Sequence, residues 1–303
     1  MIPSRRGRRL NQALWALARQ SLDRKRFEVL VVRDPESNQR QLPVPDGLDA
    51  RFLMVPTPCG PAAKRNVGWR AARASLVVFT DDDCEPDRGW LEALLEAHEG
   101  TPEAILQGRT YPNPRELEMM SPFTRTISVD RLGPWFPTCN VAYPRSTLER
   151  LGGFDESFSA VGGEDTDLAC RAREAGHSPE FVPEAIVYHA VSDLGVSGKL
   201  AVAARWSGAV RVFRDHPSLR EHLYMGLFWK RSHALLLGAA LGLVACRRTP
   251  AALLLALPYA RDVRARMKAE RASIVEAPFY PVHDLVELAA TARGAARAGV
   301  AVL

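Results

Sequence analysis

Residues 76–83 have the sequence Leu-Val-Val-Phe-Thr-Asp-Asp-Asp, an apolar run that ends in three consecutive carboxylates. A short apolar run bounded by polar residues is typical of a buried strand, so we predict a strand over Leu76–Thr80. In open α/β sheets, ligands bind beyond the carboxyl ends of the strands, and Asp81, Asp82 and Asp83 fall at such an end. The stretch therefore favours an α/β fold with a candidate site at this edge of its sheet.

The three carboxylates repel one another unless a proton or a cation neutralises some of them. Carboxylate oxygens suit Mg²⁺ or Mn²⁺. Because side chains alternate along an extended chain, Asp81 and Asp83 would point the same way and Asp82 the other way. Such a pair could hold an ion against the two phosphates of a nucleotide diphosphate. The competing interpretation is an acidic loop that caps the helix beginning at Trp90, with help from Asp87.

The segments around this strand alternate between apolar runs and helical periodicity. Two further strands are predicted at Phe27–Val32 and Ala104–Gln107. Helices are predicted at Asn11–Ser21, Pro61–Ala74 and Trp90–His98. Strands that alternate with helices indicate a mostly parallel central sheet flanked by helices on both faces, a Rossmann-like α/β fold.

The composition excludes several classes of protein. Of the 303 residues, 47% are hydrophobic and 25% are charged, which excludes a disordered, collagen-like or coiled-coil chain. The five cysteines are far apart and form no CxxC pair, which disfavours a disulfide scaffold and a structural zinc site. This use of cysteine suits the cytoplasm, where thiols stay reduced. The basic residues 1–10 lack the apolar region of a secretory signal.

The last third of the chain differs from the rest, so we predict a catalytic domain over residues 1–195 and a helical region over residues 196–303. After residue 198, basic residues outnumber acidic ones by 16 to 7, although the whole chain has a net charge of only +5. Two apolar runs, Ala234–Cys246 and Ala251–Leu257, are each shorter than the about 20 residues of a membrane-spanning helix.

Basic residues flank both apolar runs, namely Lys230, Arg231, Arg247, Arg248, Arg261, Arg264 and Arg266. A helical hairpin of this composition is suited to peripheral contact with the anionic inner face of the plasma membrane. The alternative is a buried helical pair packed on the catalytic domain. Nucleic acid is excluded as a partner, because no predicted helix combines a basic face with interleaved aromatic residues.

Two more segments carry candidate catalytic groups. Gly162 and Gly163 precede Glu164 and Asp165 at the predicted start of a helix, where a carboxylate shielded from water could act as a general base. The helix dipole alone also favours acidic residues at this position, so a purely structural interpretation stays open. His189 ends an apolar stretch that could return to the same edge of the sheet, although a single histidine is more often a packed residue.

Lys64, Arg65 and Asn66 lie near the start of the helix predicted over Pro61–Ala74, upstream of the acidic strand end. The two cations could bind phosphate or orient a carboxylate. A helix start with an exposed basic face is the simpler explanation of the same residues.

Taken together, these segments resemble glycosyltransferase family 2, a family of inverting enzymes with the A-type, nucleotide-sugar-binding fold. The resemblance covers residues 1–190 and rests on the order and spacing of short motifs at Lys64–Gly68, Val77–Asp83, Thr138–Ala142, Leu151–Asp155, Gly162–Arg171 and Pro183–His189. It implies metal-dependent transfer of a sugar from a nucleotide-diphosphate donor to an acceptor hydroxyl. The acceptor would be a sugar or a lipid-linked glycan of the cell envelope.

The resemblance also implies a role for each candidate residue. Asp83 would be the main ligand of Mn²⁺ or Mg²⁺, Asp81 would contact the nucleotide or the ion, and His189 would be a further metal ligand. Asp165 would be the catalytic base, and Glu164 beside it would contact the acceptor. Substrate-binding residues would be Pro3, Arg5, Asp34, Lys64, Arg65, Asn66, Asp81, Asp82, Asn140 and Gly163.

Two features depart from the family pattern. Only Met1 and Ile2 precede the loop that begins at Pro3, where the family has a full apolar strand, so either the first strand is short or translation starts upstream. Arg33 and Asp34 replace an Asp-Asp or Asp-Asn pair, which leaves the nucleotide base open. These two features favour one alternative, a non-catalytic nucleotide-sugar-binding protein of the same fold. A second alternative is a nucleotidyltransferase, which also uses an acidic metal site and would release pyrophosphate; the basic residues of Arg5–Arg9 weakly resemble its loop.

Overall fold

A computed structural model describes residues 1–4, 7–35, 43–158 and 162–303 of the chain. These residues form two compact units. The first comprises Met1–Leu117 and Thr126–Ala190, and the second comprises Glu118–Arg125 and Val191–Leu303. The structural division thus falls at residue 190 rather than at residue 195, and a short segment from the first half of the chain joins the second unit.

Ten strands are present in the described ranges: β1 (Ile2–Ser4), β2 (Val29–Arg33), β3 (Ala50–Met54), β4 (Leu76–Phe79), β5 (Cys84–Pro86), β6 (Ile105–Pro112), β7 (Thr124–Arg125), β8 (Val141–Pro144), β9 (Pro179–His189) and β10 (Ser192–Asp193). The same ranges contain ten α-helices: α1 (Gly7–Leu17), α2 (Pro61–Ala71), α3 (Trp90–Gly100), α4 (Arg145–Leu151), α5 (Glu164–Glu174), α6 (Gly195–Ala209), α7 (Val212–Asp215), α8 (Arg231–Ala245), α9 (Leu257–Ala269) and α10 (Phe279–Ala298). Short 3-10 segments cover Arg24–Arg26, Pro114–Met119, Thr138–Asn140, Pro217–His222, Pro250–Ala256 and Ile274–Glu276.

The strands of the first unit form two sheets that meet at Met1. β1, β2 and β3 pair in that order and in parallel, with Ile2 opposite Val31. The second sheet has the order β4-β8-β6-β9-β5, in which β6 and β9 run parallel and the other three pairs run antiparallel. The Met1 nitrogen donates to Val78 O at 2.7 Å, and the Met1 carbonyl accepts the Thr80 N–H at 3.2 Å, so β1 lies next to β4.

The predicted architecture of a central sheet flanked by helices is confirmed, but the expectation of a mostly parallel sheet is wrong for the second sheet. That expectation treated each strand as part of a strand–helix–strand repeat. β8 instead pairs antiparallel with both β4 and β6. Hydrophobic periodicity identifies a strand but carries no information on the direction in which it pairs.

The predicted strands and helices of the first unit are all present, with shifted boundaries. β6 runs to Pro112 instead of ending at Gln107, because pairing with β9 extends it past the apolar run from which it was predicted. α1 begins at Gly7 instead of Asn11 and ends at Leu17. Pairing and packing partners thus decide where these elements end, which local periodicity does not report.

Helices cover both faces of the sheet, as predicted, because alternate strand residues project to opposite faces. The face that carries Val31 packs against α1 and α3, through buried side chains such as Trp90. The face that carries Leu30 packs against α2 and α5, through Trp69 and Leu168. Burial on both faces explains the nearly continuous apolar sequence of β2.

The acidic stretch after β4 does not continue as an extended chain. Cys84 N donates to Asp81 O at 3.3 Å, which closes a turn before β5 begins. The expectation that Asp81 and Asp83 point the same way is therefore wrong, because side chains alternate only along an extended strand. As a result the three consecutive carboxylates contact three different partners.

The second unit is mainly helical, and β7 pairs antiparallel with β10 within it. We use the name apolar hairpin for residues 231–256, which comprise α8, the turn after it and the 3-10 segment Pro250–Ala256. Gly242 allows the two arms to approach, since a Cβ at this position would lie 2.6 Å from Ala252 O. In the part of the chain that the structure describes, every helix is too short or too polar to span a bilayer.

Candidate active site

Arg65 of α2 is surrounded by three carboxylates. Its Nη1 lies 3.1 Å from Glu164 Oε1 and 3.1 Å from Asp165 Oδ1, and its Nη2 lies 3.1 Å from Asp81 Oδ1. Burial works to lower the pKa of the guanidinium, but the charges of the three carboxylates raise that pKa above the ordinary arginine value. Arg65 therefore stays charged and joins α2, the end of β4 and the start of α5 at one point.

The Asp165 carboxyl is held from two sides. Its Oδ2 accepts the Thr138 N–H at 3.0 Å and the Thr138 hydroxyl at 2.9 Å, while its Oδ1 faces Arg65. Burial raises the pKa of Asp165 to about 7, the charge of Arg65 opposes the rise, and the charge of Glu164 adds to it. A carboxyl with this pKa is partly ionised at neutral pH, which is a property expected of a general base.

Two glycines place these acids in the first turn of α5. Gly163 has a φ of 100°, a left-handed conformation that glycine adopts without a Cβ penalty, and its carbonyl accepts the Asp167 N–H at 2.8 Å. Glu164 is buried, and its Oε2 accepts the Gly162 N–H at 2.8 Å. The helix dipole favours negative side chains at this position, so the structural and catalytic interpretations of the segment are compatible.

A buried ion pair lies beside the end of β1. Lys64 Nζ is 2.5 Å from Asp34 Oδ2, and both side chains are almost inaccessible to solvent. Ser4, the last residue of β1, donates its hydroxyl to Asp82 Oδ2 at 2.7 Å. The interpretation of the α2 start as an exposed basic face is therefore wrong for Lys64 and Arg65, because both cations are buried against carboxylates.

Asp83 and His189 form a separate group. Asp83 Oδ1 lies 3.6 Å from His189 Nε2, at the end of β9. His189 Nδ1 is 2.9 Å from Ala190 O, so we assign the ring proton to Nδ1, which leaves the Nε2 lone pair available to a metal. The thiol of Cys84 completes a set of three ligand atoms that lie within 4.8 Å of one another. These three donor atoms suit one divalent ion. The Asp81 carboxylate does not belong to this group, because it contacts Arg65.

Two residues that the sequence predicted to bind substrate use their side chains inside the fold. The Asn66 side chain bonds to the Phe154 backbone at 2.8 and 2.9 Å and accepts the Trp69 indole N–H at 2.8 Å. The Asn140 side chain donates to two backbone carbonyls at 2.8 Å and accepts the Trp90 indole N–H at 2.8 Å. Both amides thus hold structural elements around the candidate site.

Two further residues were predicted to bind substrate, Pro3 and Arg5. Pro3 lies in β1 opposite Val32, and Arg5 lies outside the described residues. Sequence reasoning missed Thr138 as a partner of Asp165 and Cys84 as a possible ligand. Cys84 directly follows the acidic stretch and could have been noticed there, whereas the contact of Thr138 joins segments 27 residues apart and has no local signal.

Two family models match the chain. The one described as "Glycosyl transferase family 2" matches residues 4–154, about half of the chain. A second, described as "N-terminal domain of galactosyltransferase", matches residues 124–192. Together the two matched ranges contain Asp83, Asp165 and His189.

Curated relatives cover parts of the chain. It is similar to a pre-mycofactocin glycosyltransferase of Mycobacterium tuberculosis, with 34% identity over an alignment of 159 positions that covers 46% of this chain and 32% of the relative. It is also similar to a validoxylamine A glucosyltransferase of Streptomyces hygroscopicus, with 27% identity over an alignment of 253 positions that covers 71% of this chain and 60% of the relative. The chain therefore spans less than two thirds of the length of either relative.

Solved structures share the fold. A mannosyltransferase from Pyrobaculum calidifontis in complex with GDP-Man and Mn²⁺ has a TM-score of 0.61 at 18% identity, with coverage of 97% of this chain and 85% of that chain. TarS of S. aureus has a TM-score of 0.52 at 17% identity, with coverage of 94% and 54%. These similarities confirm the predicted A-type fold.

Proposed function

Because this chain belongs to glycosyltransferase family 2, we propose that it transfers a sugar from a nucleotide-diphosphate donor to an acceptor hydroxyl, with inversion at the anomeric carbon. The observation that carries this proposal is the Asp165 carboxyl, which Thr138 and Arg65 hold at the start of α5. Its pKa, raised to about 7 by burial, suits a group that must accept a proton near neutral pH.

In the proposed reaction, Asp165 takes the proton of the acceptor hydroxyl while the acceptor oxygen bonds to the anomeric carbon. The bond between the sugar and the diphosphate breaks on the opposite side, and the diphosphate leaves with its electron pair. Thr138 fixes one Asp165 oxygen and so orients the carboxylate plane. We place the acceptor beside Glu164, the buried neighbour of the base.

The donor is proposed to lie where β1, β2 and β4 end. Asp34 follows β2, where the base or the ribose is proposed to bind, and its buried ion pair with Lys64 holds together the segments on which the donor would lie. Asp82, which accepts from Ser4, lies near the end of β1. The solved relatives hold donors with different bases, GDP-Man in one and UDP-GlcNAc in another, so a base is not assigned to this chain.

A divalent ion, Mn²⁺ or Mg²⁺, is proposed to bind to Asp83 and His189. When bound, it would neutralise the charge that develops on the leaving diphosphate. Two contacts in this chain support the proposal. The Asp83 carboxylate lies 3.6 Å from His189 Nε2, and Nδ1 of the same ring is hydrogen-bonded to the carbonyl of Ala190. The mannosyltransferase that shares the fold contains Mn²⁺.

We further propose that the chain binds peripherally to the inner face of the plasma membrane and uses a lipid-linked acceptor. The apolar hairpin leaves large aliphatic side chains in water, with Leu241 67%, Val244 73% and Leu254 64% exposed. Arg247 and Arg248 are exposed at its turn, and residues 230–261 contain no Asp or Glu. Apolar side chains with basic neighbours suit an anionic bilayer surface.

The transfer proposal is tested with a panel of nucleoside diphosphates and their sugar conjugates, with and without Mn²⁺, by thermal shift and by release of nucleoside diphosphate. We expect one donor series to stabilise the chain and to be turned over. The variant Asp165→Asn should lose at least about 10²–10⁴-fold in turnover while it still binds donor, because a positioned base contributes that much.

A matched control is Asp167→Asn in the same helical turn, since Asp167 pairs with Arg171 at 2.9 Å. This variant should keep its turnover. Donor binding without any release of nucleoside diphosphate would contradict the enzyme and favour the non-catalytic alternative, and release of pyrophosphate would favour a nucleotidyltransferase.

A further inference from the structure

Cys84 and His189 face each other across two paired strands. β5 and β9 run antiparallel, and Cys84 is the register partner of His189. Residues directly opposite each other in such a pair project to the same side of the sheet. Both side chains are also buried, with 1% and 2% exposure. The thiol and the imidazole are therefore brought together by strand register, which is a property of the backbone.

The distances among the three candidate donors match a single ion. Asp83 Oδ1 lies 3.6 Å from His189 Nε2 and 4.0 Å from Cys84 Sγ, and all three atoms lie within 4.8 Å of one another. Ligand atoms bound to one tetrahedral zinc ion at about 2.0–2.3 Å lie about 3.3–3.8 Å apart. The two Asp83 distances are within or just above this range, and Cys84 Sγ and His189 Nε2, which are no more than 4.8 Å apart, would approach by at most about 1 Å when an ion binds.

We propose that Cys84 is a third side-chain ligand of the ion at Asp83 and His189, so that this site prefers thiophilic ions such as Co²⁺, Zn²⁺ or Cd²⁺ over Mg²⁺. The inference rests on the proposed function in one respect only, that an ion binds at Asp83 and His189. On binding, the thiol releases its proton to water and the sulfur bonds to the ion, with no change of oxidation state. Thiolate is a soft ligand, which favours these ions.

The competing role for Cys84 is packing alone. Its thiol contacts the buried thiol of Cys139, which in turn lies 3.8 Å from Thr110 Oγ1. If packing is its only role, Cys84→Ser would change the stability of the chain but not its preference among metal ions. Cys139 is therefore the matched control, as a buried neighbouring thiol outside the set of three ligand atoms.

The test is a titration of the 303-residue chain with Co²⁺, without nucleotide or acceptor. We expect a sulfur-to-cobalt charge-transfer band in the near ultraviolet. Cys84→Ser should lose this band and bind Co²⁺ at least about tenfold more weakly, while its affinity for Mg²⁺ changes by less than about twofold. Cys139→Ser should keep the band. Equal Co²⁺ affinity in the wild type and Cys84→Ser would overturn the proposal.

X-ray absorption of the Zn²⁺-loaded wild type gives a second measurement that needs no variant to fold. A sulfur neighbour at about 2.3 Å is expected, and a shell of only nitrogen and oxygen would also overturn the proposal. These readouts involve no sugar donor. Failure of the cysteine proposal therefore appears as a missing sulfur contact, and failure of the proposed function appears as missing sugar transfer, independently of each other.

Discussion

At the scale of single residues, Arg65 decides the electrostatics of the candidate site. It contacts Asp81, Glu164 and Asp165, and its charge partly offsets the mutual repulsion of these carboxylates. Arg65 and Glu164 are buried, so loss of either partner would leave the other as an uncompensated buried charge, whereas Asp81 and Asp165 are partly exposed. The same contact places a positive charge next to the group proposed as the base.

The raised pKa of Asp165 predicts a pH dependence of catalysis. The base must be ionised, and with a pKa of about 7 its ionised fraction falls about tenfold for each unit of pH below that value. We expect kcat/KM to rise with pH to a midpoint near 7 and then to level off. Steady-state kinetics between pH 5 and 9 would measure the midpoint.

Two substitutions test whether the midpoint of this pH profile belongs to Asp165 or to another acidic residue. Arg65→Gln removes the charge that lowers the Asp165 pKa, so the midpoint should move to higher pH. Asp167→Asn should leave the midpoint in place, because Asp167 pairs with Arg171. A profile that is flat from pH 5 to 8, or a midpoint that does not respond to Arg65→Gln, would argue against Asp165 as the base.

At the scale of elements, glycine controls how closely the arms of the apolar hairpin approach. Gly242 and Gly238 lie one turn apart on α8, and alanine would raise the helix propensity of either position by a similar amount. Their surroundings differ. A Cβ at Gly242 would lie 2.6 Å from Ala252 O and 3.0 Å from Leu255 Cβ, whereas a Cβ at Gly238 would meet no atom of the described residues within 4 Å.

This difference predicts opposite effects of the same substitution. Gly238→Ala should stabilise the chain by about 0.5–1 kcal/mol, because alanine is the better helix former. Gly242→Ala should destabilise it by about 1–3 kcal/mol, because the new methyl group meets backbone that must shift. Thermal or denaturant unfolding of both variants gives the measurement. If both substitutions are stabilising, the two arms of the hairpin do not pack as described.

At the scale of the whole molecule, charge and apolar surface are unevenly distributed along the chain. The acidic site groups belong to the first unit, whereas most of the large exposed aliphatic side chains belong to the second. An apolar surface in water is unfavourable unless something covers it under working conditions. The exposed arginines of the hairpin turn make an anionic lipid surface the partner of matching charge.

Membrane binding is predicted to depend on both charge and apolar contact. In flotation experiments, the chain should rise with vesicles of phosphatidylcholine and phosphatidylglycerol but not with phosphatidylcholine alone, and salt should weaken binding. The double variant Leu241→Ser and Leu254→Ser should lose most of the binding, because it removes two large apolar side chains that are 67% and 64% exposed.

Leu285→Ser is the matched control for flotation, since Leu285 of α10 is 59% exposed but lies outside the hairpin. It should bind vesicles like the wild type. A chain that stays at the bottom of the gradient with anionic vesicles at low salt would refute the proposal. Concentration-dependent dimerisation that the hairpin variant abolishes would instead indicate that a second copy covers this surface.

The sequence by itself determined several of the strands and helices, including β2, β4 and β6, and the chemical groups that follow β4 and begin α5, whereas β3 and β8 were not predicted. The run from Leu76 to Asp83 predicted a strand that ends in carboxylates, and the glycines before Glu164 predicted a helix that begins with acids, because both signals are local. The family resemblance then identified the fold, which the structural comparisons confirm. These conclusions needed only neighbouring residues and motif order.

Only the tertiary structure decided which of these groups meet. The hydrogen bond from Cys84 N to Asp81 O closes a turn, so that Asp81 contacts Arg65 whereas Asp83 contacts His189. The alternation of side chains along a strand does not predict this turn. The pairing of β5 with β9 brings Cys84 opposite His189, although the two residues are far apart in the chain. The physical reason is that strand direction, register and burial depend on contacts between distant segments, and a single sequence read locally does not contain those distances.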